Sequence, residues 1–363
     1  GVRADLDRVN AELARRQGGY GRGGRMKIET DRVEVLSGVR RGVTLGSPIV
    51  LSIVNRDFRI HDLKRTPPVF EPRPGHGDLA GAVKYLNPDM RNILERASAR
   101  ETAGRVAAGA FVRSLLAEAG IDVFGYVRSV GDVIAESEAA ISARTLPALR
   151  RTRDRSPLYT LDRAADQRMT AAIDAAREAG DTLGGVVEAV ALGVPMGLGS
   201  HVSEDRRLDA RLAATLMSIQ AIKGVEIGLG FEAARLPGSQ VHDEIAYDAR
   251  QRRERSLGFV RRTNHAGGIE AGISNGQPVV VRAAMKPIAT LGRPLSSVNI
   301  RTKKTRRAAY ERSDVCAVPA ASVVVENAVA FVLAQALLEK TGGDTLKEVT
   351  ANLETFLRMA REV

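Results

Sequence analysis

Helix and strand patterns follow one another irregularly along this chain of 363 residues. Apolar residues at helical spacing predict helices over residues 5–17, 88–119, 164–179, 205–222 and 345–361, and a strongly apolar helix that ends at Lys340. Other apolar patterns predict strands over residues 32–36, 48–54, 121–127, 186–192 and 278–285. A doubly wound parallel sheet needs regular alternation of strand and helix. We therefore predict an α+β fold, built as one domain over residues 1–363.

Capping residues predict where several helices begin and end. Asp5, Asn87 and Asp344 precede helical patterns as expected N-caps, and Gly120 and Gly180 follow two of them as expected C-terminal glycines.

Three segments between these helices are predicted as hairpin, loop or irregular structure. Residues 26–29 and 32–36 alternate around Thr30-Asp31, which is typical of a β-hairpin. Residues 55–73 are polar and contain prolines, so we predict a loop. Residues 132–162 are charge-rich and irregular, and we expect their basic cluster to be a solvated face.

The formal net charge of +11 and the sequence pI of about 10.1 favour nucleic acid, an acidic membrane surface or a polyanionic small molecule as partner. Aromatic residues make up 4% of the chain and tryptophan is absent, so few side chains could stack on the bases of single-stranded nucleic acid. The single cysteine, Cys316, excludes an internal disulfide framework and fits a reducing compartment. No apolar run approaches the ~20 residues of a membrane span. We expect a cytoplasmic protein that acts without membrane or nucleic acid.

A glycine-rich loop with interleaved arginines covers residues 15–25. Backbone amides and guanidinium groups can approach a phosphate together on such a scaffold. The spacing is not that of the dinucleotide fingerprint, and no strand precedes it. A flexible basic loop would have the same composition, but four arginines among the glycines favour anion binding.

His76 stands in a tight, glycine-flanked turn, Pro74-Gly75-His76-Gly77-Asp78, ahead of a predicted helix that carries several arginines. An imidazole on a rigid turn beside guanidinium groups suits an anionic ligand. An ordinary surface turn fits these residues equally well. The other basic, glycine-rich segments of the chain favour a site.

Two later segments are candidates for ligand contact. Residues 263–276 are rich in glycine, so their backbone is expected to pass close to another strand or to a flat ligand. Residues 286–290 combine a lysine and a threonine hydroxyl at the end of a predicted strand, which suits a phosphate. His61, His201 and His242 have no ligand partner at a telling spacing, so we predict no metal site.

Short motifs along the whole chain resemble those of the chorismate synthase family: RRQGGYGRGGRM, RPGHGDLAG, LERASARETA, GDTLGG, IQAIKGVEIG, AGGIEAG, RAAMKPIAT, RSDVCAVPAA and LEKTGGD. The resemblance implies a β-α-β sandwich, with helices between antiparallel sheets, assembled as a homotetramer. It implies a lyase of the shikimate pathway that eliminates phosphate from 5-enolpyruvylshikimate-3-phosphate in a 1,4-anti reaction. The family requires reduced FMN for this step, without net redox change. The basic chain is matched in charge to this polyanionic substrate.

Several residues receive roles only through this resemblance. His76 matches one of the family's two catalytic histidines, and Asp314 matches an aspartate near flavin N5 that assists proton removal. The FMN contacts carried over are Arg96, Ala97, Ser98, Gln220, Ala221, Ala271, Lys286, Pro287, Ile288, Ala289, Thr290 and Arg312. Arg16 and Arg22 match positions assigned to the phosphate of NADP or of the substrate. Whether NADPH reduces the flavin on this protein, or an external reductase does so, stays open.

The chain also departs from the family pattern. A Gly-Glu-Ser-His-Gly motif, which carries the second catalytic histidine, usually precedes the point where this sequence starts. We therefore expect the natural protein to begin earlier, so that the domain is N-terminally incomplete here. His265 stands where arginine is common, and the glycine that often follows the tyrosine is missing after Tyr85. The loop at 56–72 is shorter than in many members, which would reduce a lid.

Two rival functions remain open at this point. A flavin redox enzyme would use the same cofactor, but it would consume reductant with each turnover. A basic nucleic-acid-binding protein would explain the pI and the cluster at 250–255, and its binding to duplex would depend on salt.

Overall fold

The computed structural model describes residues 1–23, 30–56, 58, 61–136, 140–311 and 313–363, and for Glu95 the backbone only. The helices are α1 (Leu6–Gln17), α2 (Asp78–Lys84), α3 (Arg91–Ala97), α4 (Thr102–Glu118), α5 (Leu146–Arg155), α6 (Arg163–Ala179), α7 (Leu208–Met217), α8 (Gly238–Val241), α9 (Val318–Thr341) and α10 (Leu346–Ala360). The strands are β1 (Val33–Ser37), β2 (Val39–Arg40), β3 (Val43–Thr44), β4 (Val50–Ile53), β5 (Asp122–Val130), β6 (Val133–Ile134), β7 (Gly185–Leu192), β8 (Ile222–Ile227), β9 (Ile245–Tyr247), β10 (Phe259–Arg261), β11 (Ile269–Glu270), β12 (Ile273–Ser274), β13 (Val279–Met285), β14 (Ser296–Val298) and β15 (Thr305–Arg307).

The largest sheet has five strands in the order β6-β5-β7-β13-β8, and every neighbouring pair is antiparallel. Residues on β7 alternate between its two faces, as a pleated strand requires. The side chains of Val187, Ala189 and Ala191 belong to the main core. On the opposite face, Val190 and Leu192 belong to a smaller cluster under α5.

Helix α9 is the centre of the main core. It is apolar on all sides and packs against α1, α4, α7 and α10 as well as against β5 and β7. Helix α4 approaches it closely at Gly109, where an added Cβ would overlap the backbone of Asn327. In length and composition α9 could cross a membrane, but 83% of its most apolar stretch is buried inside the fold.

A two-stranded antiparallel sheet, β1–β4, lies on the other side of the helices. It contacts α4 through β4 and α1 through β1, whereas the five-stranded sheet contacts α9. Helices therefore lie between antiparallel sheets, and the predicted α+β sandwich is confirmed.

The predicted long helix over residues 88–119 was wrong in its first part. Helix α3 ends at Ala97, because Ser98 is extended (φ −66°, ψ 135°) and its hydroxyl accepts a hydrogen bond from the Arg100 amide. A short 3₁₀ turn then leads into α4. Asn87 is not the N-cap either. Its side chain accepts from the Asp89 amide, and Met90 precedes the helix.

Other boundaries differ for local reasons. The predicted helix over 205–222 ends at Met217, since Ala221 has φ of 67° and β8 starts directly after it. Helices α2 and α5 were missed; α5 is short, highly charged and buries few apolar side chains. Thr345, not Asp344, caps α10 in a capping box with Glu348.

Several predicted boundaries are confirmed. The side chain of Asp5 accepts from the Arg8 amide at the start of α1, and Gly180 ends α6 in the left-handed conformation. Strand β1 pairs with β4, whereas its predicted hairpin partner at 26–29 lies outside the described residues.

Candidate active site

A cavity of about 910 Å³ lies where the junction of α3 and α4, the His76 turn, the end of β13 and the start of α9 meet. Most of the residues predicted for a site line it, although they come from distant stretches of sequence. They are His76, Asp314, Ala97, Ser98, Gln220, Ala221, Lys286, Ile288, Ala289, Thr290, Arg16 and Arg22.

Three of the remaining predicted residues do not line the cavity. Arg96 is exposed on α3, and Ala271 is exposed in the turn between β11 and β12. Pro287 is exposed between lining neighbours. Arg312 lies outside the described residues.

His76 is held by a turn that leads into α2. Gly75 has φ of 77°, a conformation that favours glycine, and Asp78 begins the helix as a fully buried residue. His76 Nδ1 lies 2.6 Å from Asp78 Oδ1. Arg73 donates from Nε to Asp78 Oδ2 at 2.9 Å and from Nη1 to Thr290 Oγ1 at 3.1 Å. Arg73 therefore joins the His76 turn to the segment after β13.

The carboxylate of Asp78 is ionised in this setting. Burial acts to raise its pKa, but hydrogen bonds from His76 and Arg73 outweigh burial and hold the pKa well below its usual range. The turn thus presents a partly exposed imidazole backed by a buried negative charge.

Asp314 and Arg22 form an ion pair at the cavity wall. Arg22 Nη1 lies 2.6 Å from Asp314 Oδ2, and the Gly23 amide donates to Asp314 Oδ1 at 2.7 Å. An added Cβ on Gly23 would lie 2.9 Å from the Ser313 carbonyl oxygen, so the contact requires glycine. Asp314 and the arginine loop are far apart in the sequence, and the fold joins them.

Arg16 is buried beneath the same wall. It donates to Thr102 Oγ1 at 2.9 Å and to the Ala99 carbonyl at 3.2 Å, and it pairs with Asp31. Arg100 also pairs with Asp31, at 2.6 Å. The sequence indicated only that Asp31 lies in a turn and gave no sign of its ion pairs with Arg16 and Arg100. These contacts hold the Arg16 side chain in place, so it adds a fixed positive charge to the cavity wall and connects α1 to the start of α4.

Two polar groups at the cavity can still form a hydrogen bond or ion pair with a ligand. The ammonium of Lys286 has no hydrogen bond or ion pair to any described residue; burial first, and then Lys223, lower its pKa. Gln220 donates to Glu101 at 2.8 Å, while its buried Oε1 has no partner within the described residues. An anion could bind the first group and a hydrogen-bond donor the second.

The rest of the wall fits a flat aromatic ring such as that of a flavin. It is apolar over much of its area, and the side chains concerned are Leu94, Ile219, Met285, Ile288, Ala317, Ala320, Ala321 and Val324. Together with Lys286 and Gln220, these residues offer an apolar surface, a cation and a hydrogen-bond acceptor, which are what a flavin phosphate and ring require.

The network behind His76 was not found from the sequence. Arg73 and Asp78 flank the histidine in RPGHGD, three residues before it and two after it. That spacing was visible, but the fold of the turn, which brings both side chains onto the imidazole, was not.

Comparisons with known proteins agree with this geometry. The chorismate synthase family model matches residues 1–338. The chorismate synthase of Geobacter sulfurreducens is 57% identical, with 99% of this chain and 93% of the relative covered. That of Bacillus cytotoxicus is 52% identical, with 98% and 92% covered. A crystal structure of chorismate synthase superposes with a TM-score of 0.79 at 43% identity and covers 100% of this chain and 93% of its own. The chain therefore belongs to the chorismate synthase family.

Proposed function

We propose that this cavity is where the chain, a lyase of the shikimate pathway, eliminates phosphate from 5-enolpyruvylshikimate-3-phosphate with the help of reduced FMN. The observation that carries the proposal is that His76, Asp314 and Lys286, from three separate stretches of the chain, line one cavity with an apolar wall. A trianionic substrate and a flavin need this combination of charge and surface.

Cations around the cavity serve the leaving group. Breaking the carbon–oxygen bond places negative charge on the departing phosphate, and fixed cations stabilise charge that develops in the transition state. The ammonium of Lys286 has no partner among the described residues and can contact the departing phosphate. Arg73 is held at the same cavity by its hydrogen bond to Thr290. Because these groups are preorganised by the fold, little reorganisation is needed during the reaction.

His76 supplies the proton in this proposal. Its partly exposed ring lies at the cavity, so a protonated imidazole can donate to the leaving phosphate as a general acid. The family match of His76 to a catalytic histidine supports the same role.

Asp314 is proposed to act at the other end of the elimination. When bound, reduced FMN would supply the electron-rich ring that the family needs, with no net redox change. Asp314 lies at the cavity wall, paired with Arg22 and held by the Gly23 amide, so its carboxylate is fixed in place. The carboxylate would assist removal of the carbon-bound proton.

The finer properties of the enzyme follow as parts of the same proposal. We infer a single domain, a homotetramer and a cytoplasmic location, and NADPH as a candidate reductant of the flavin. The family membership and the basic charge support these statements.

An anaerobic assay tests the function. With FMN and dithionite, each turnover should release one phosphate without consuming reductant in proportion. Consumption of one equivalent of reductant per product would favour a flavin redox enzyme instead. If no phosphate were released, the proposed function would be wrong. Repeating the assay with NADPH alone decides whether the protein reduces its own flavin.

A further inference from the structure

We propose that Asp78 is a positioning residue for His76: it keeps a proton on Nδ1, so that Nε2 is the nitrogen that gives up and regains the catalytic proton. This inference rests on the proposed role of His76 as general acid. It concerns which nitrogen acts and what selects it.

The contact geometry supports one arrangement of protons. Asp78 Oδ1 lies 2.6 Å from His76 Nδ1, and Asp78 is fully buried, whereas the His76 side chain is 22% exposed. The ring edge next to Asp78 therefore points into the protein. The opposite edge, which carries Nε2, is the one that remains for a ligand in the cavity.

The charge state of Asp78 makes it an acceptor. Arg73 donates to both oxygens of this carboxylate, from Nε to Oδ2 at 2.9 Å and from Nη2 to Oδ1 at 3.1 Å, and the Arg73 amide donates to Oδ2 at 3.0 Å. An ionised carboxylate has no proton to give. A short contact to Nδ1 thus requires that Nδ1 carries the hydrogen.

Arg73 contacts both nitrogens of the His76 ring. Its Nη2 lies 3.3 Å from His76 Nε2 and 3.1 Å from Nδ1. A guanidinium group is only a donor. Because Nη2 is nearly equidistant from the two ring nitrogens, it does not distinguish the tautomers, and the choice between them rests on Asp78.

The consequence for the reaction is a fixed direction of proton transfer. A doubly protonated ring releases the Nε2 proton to its acceptor in the cavity and keeps the Nδ1 proton in its hydrogen bond to Asp78. No rotation of the ring is needed between proton release and recovery. An aspartate that orients a histidine in this way is used in other enzymes, where replacing it by asparagine allows the wrong tautomer.

The first test reads the tautomer in the ligand-free protein, and so does not depend on the proposed function. In ¹⁵N NMR of the imidazole groups, assigned with His76→Gln, the neutral ring of His76 should show hydrogen on Nδ1. Asp78→Asn should shift the population toward hydrogen on Nε2, and Asp78→Glu should restore part of the original form. Hydrogen on Nε2 in the unmodified protein would overturn the proposal.

A matched control separates positioning from stability. Asp166 is also buried and accepts two hydrogen bonds, from Ser156 and Thr160, but it lies on α6 and does not line the cavity. Asp166→Asn should leave the His76 signals unchanged. An equal change in both variants would mean that a general loss of order, not positioning, moves the signals.

The second test asks whether Asp78 acts through His76. Asp78→Asn alone should lower turnover by no more than the roughly 10²–10⁴-fold loss expected for His76→Ala. In a chain that already carries His76→Ala, adding Asp78→Asn should change turnover little further. Losses that multiply would show that Asp78 acts independently of the imidazole, against the proposal. If only this test fails, the tautomer result still stands on its own.

Discussion

Two arginine-rich regions of the chain have similar composition but different charge balance. The first, which we call the core cluster, consists of Arg15, Arg113, Arg153, Glu12 and Glu326. Glu326 is 1% exposed and contacts all three guanidinium groups, at 3.0, 2.9 and 3.2 Å. Burial acts to raise its pKa, but these cations hold it at about 2. In this cluster every guanidinium group contacts a carboxylate.

The second region is the cavity. Arg22 pairs with Asp314 and Arg73 with Asp78, as in the core cluster, but the ammonium of Lys286 has no partner among the described residues. An unpaired cation that is half removed from water is costly for the folded chain unless a ligand compensates it. A cation without a partner among the described residues, rather than a large number of arginines, therefore distinguishes the candidate site from a structural network.

The largest expected effect lies in the cavity and concerns activity. His76→Ala should lower turnover by roughly 10²–10⁴-fold, because a general acid is removed. The free energy of unfolding should fall only modestly, by about 1–2 kcal/mol, since buried Asp78 loses one hydrogen bond but keeps those from Arg73. The measurements are anaerobic phosphate release and denaturant unfolding. His201→Ala, at an exposed histidine outside the cavity, is the control and should leave both unchanged. Full turnover in His76→Ala would move the acid elsewhere.

The opposite outcome is expected in the core cluster. Glu326→Gln keeps the shape but leaves three buried arginines short of one negative charge, so the free energy of unfolding should fall by about 3–5 kcal/mol. Turnover per folded molecule should stay near normal. Glu339→Gln on the same helix removes an exposed partner of Arg211 and should cost less than about 1 kcal/mol. Loss of turnover in folded Glu326→Gln protein would contradict the division between the two regions.

The sequence predicted the architecture, and most of the site residues that it indicated line the cavity, but it did not predict the ion pairs that distinguish the two regions. Helix and strand patterns are local: α1 and α6 were found from their apolar periodicity and caps, and α9 from its continuous apolar run. The partner of an arginine depends on the fold: Arg15 meets Glu326 across 311 residues, and Arg22 meets Asp314 across 292.

Ambiguous signals explain the remaining misses. The break at Ser98 came from one hydroxyl accepting from the Arg100 amide, inside a segment whose pattern still favours a helix. Helix α5 gave too few apolar residues to be found. The role of Asp31 depends on Arg16 and Arg100 converging on it, which only the folded chain reveals.

A smaller effect should appear when the core cluster is titrated. The folded pKa of Glu326, about 2, lies below the 4.5 of an ordinary glutamate, so the cluster stabilises fully above about pH 4.5 and loses that contribution as pH falls toward 2. The loss should be on the order of 3 kcal/mol. Unfolding measured at several pH values should show it in the unmodified chain and not in Glu326→Gln. Equal slopes for both would show that other carboxylates govern the acid limb.

The smallest effect is expected on FMN affinity, when Lys286 is compared with its neighbour Lys223. Lys286→Met removes an ammonium that has no partner among the described residues, so stability should not fall, while FMN affinity should weaken about 10- to 100-fold if the ammonium contacts a flavin or substrate anion. Lys223→Met removes the same charge from an exposed neighbour and should change affinity less than about fivefold. Flavin fluorescence, titrated with and without the substrate, measures both.

The pH dependence of FMN binding should also differ between the cavity and the core cluster. Burial and Lys223 lower the pKa of Lys286, so its charge, and with it the flavin affinity, should be lost at a lower pH than an ordinary lysine would set. Lys223→Met should move this loss to higher pH, because one of the two causes is removed. The core cluster has no such response, since its cations remain charged throughout this range. If Lys286→Met binds FMN as tightly as the unmodified chain at every pH, the unmatched charge of the cavity does not mark the anion site, and the contrast between the two regions loses its functional meaning.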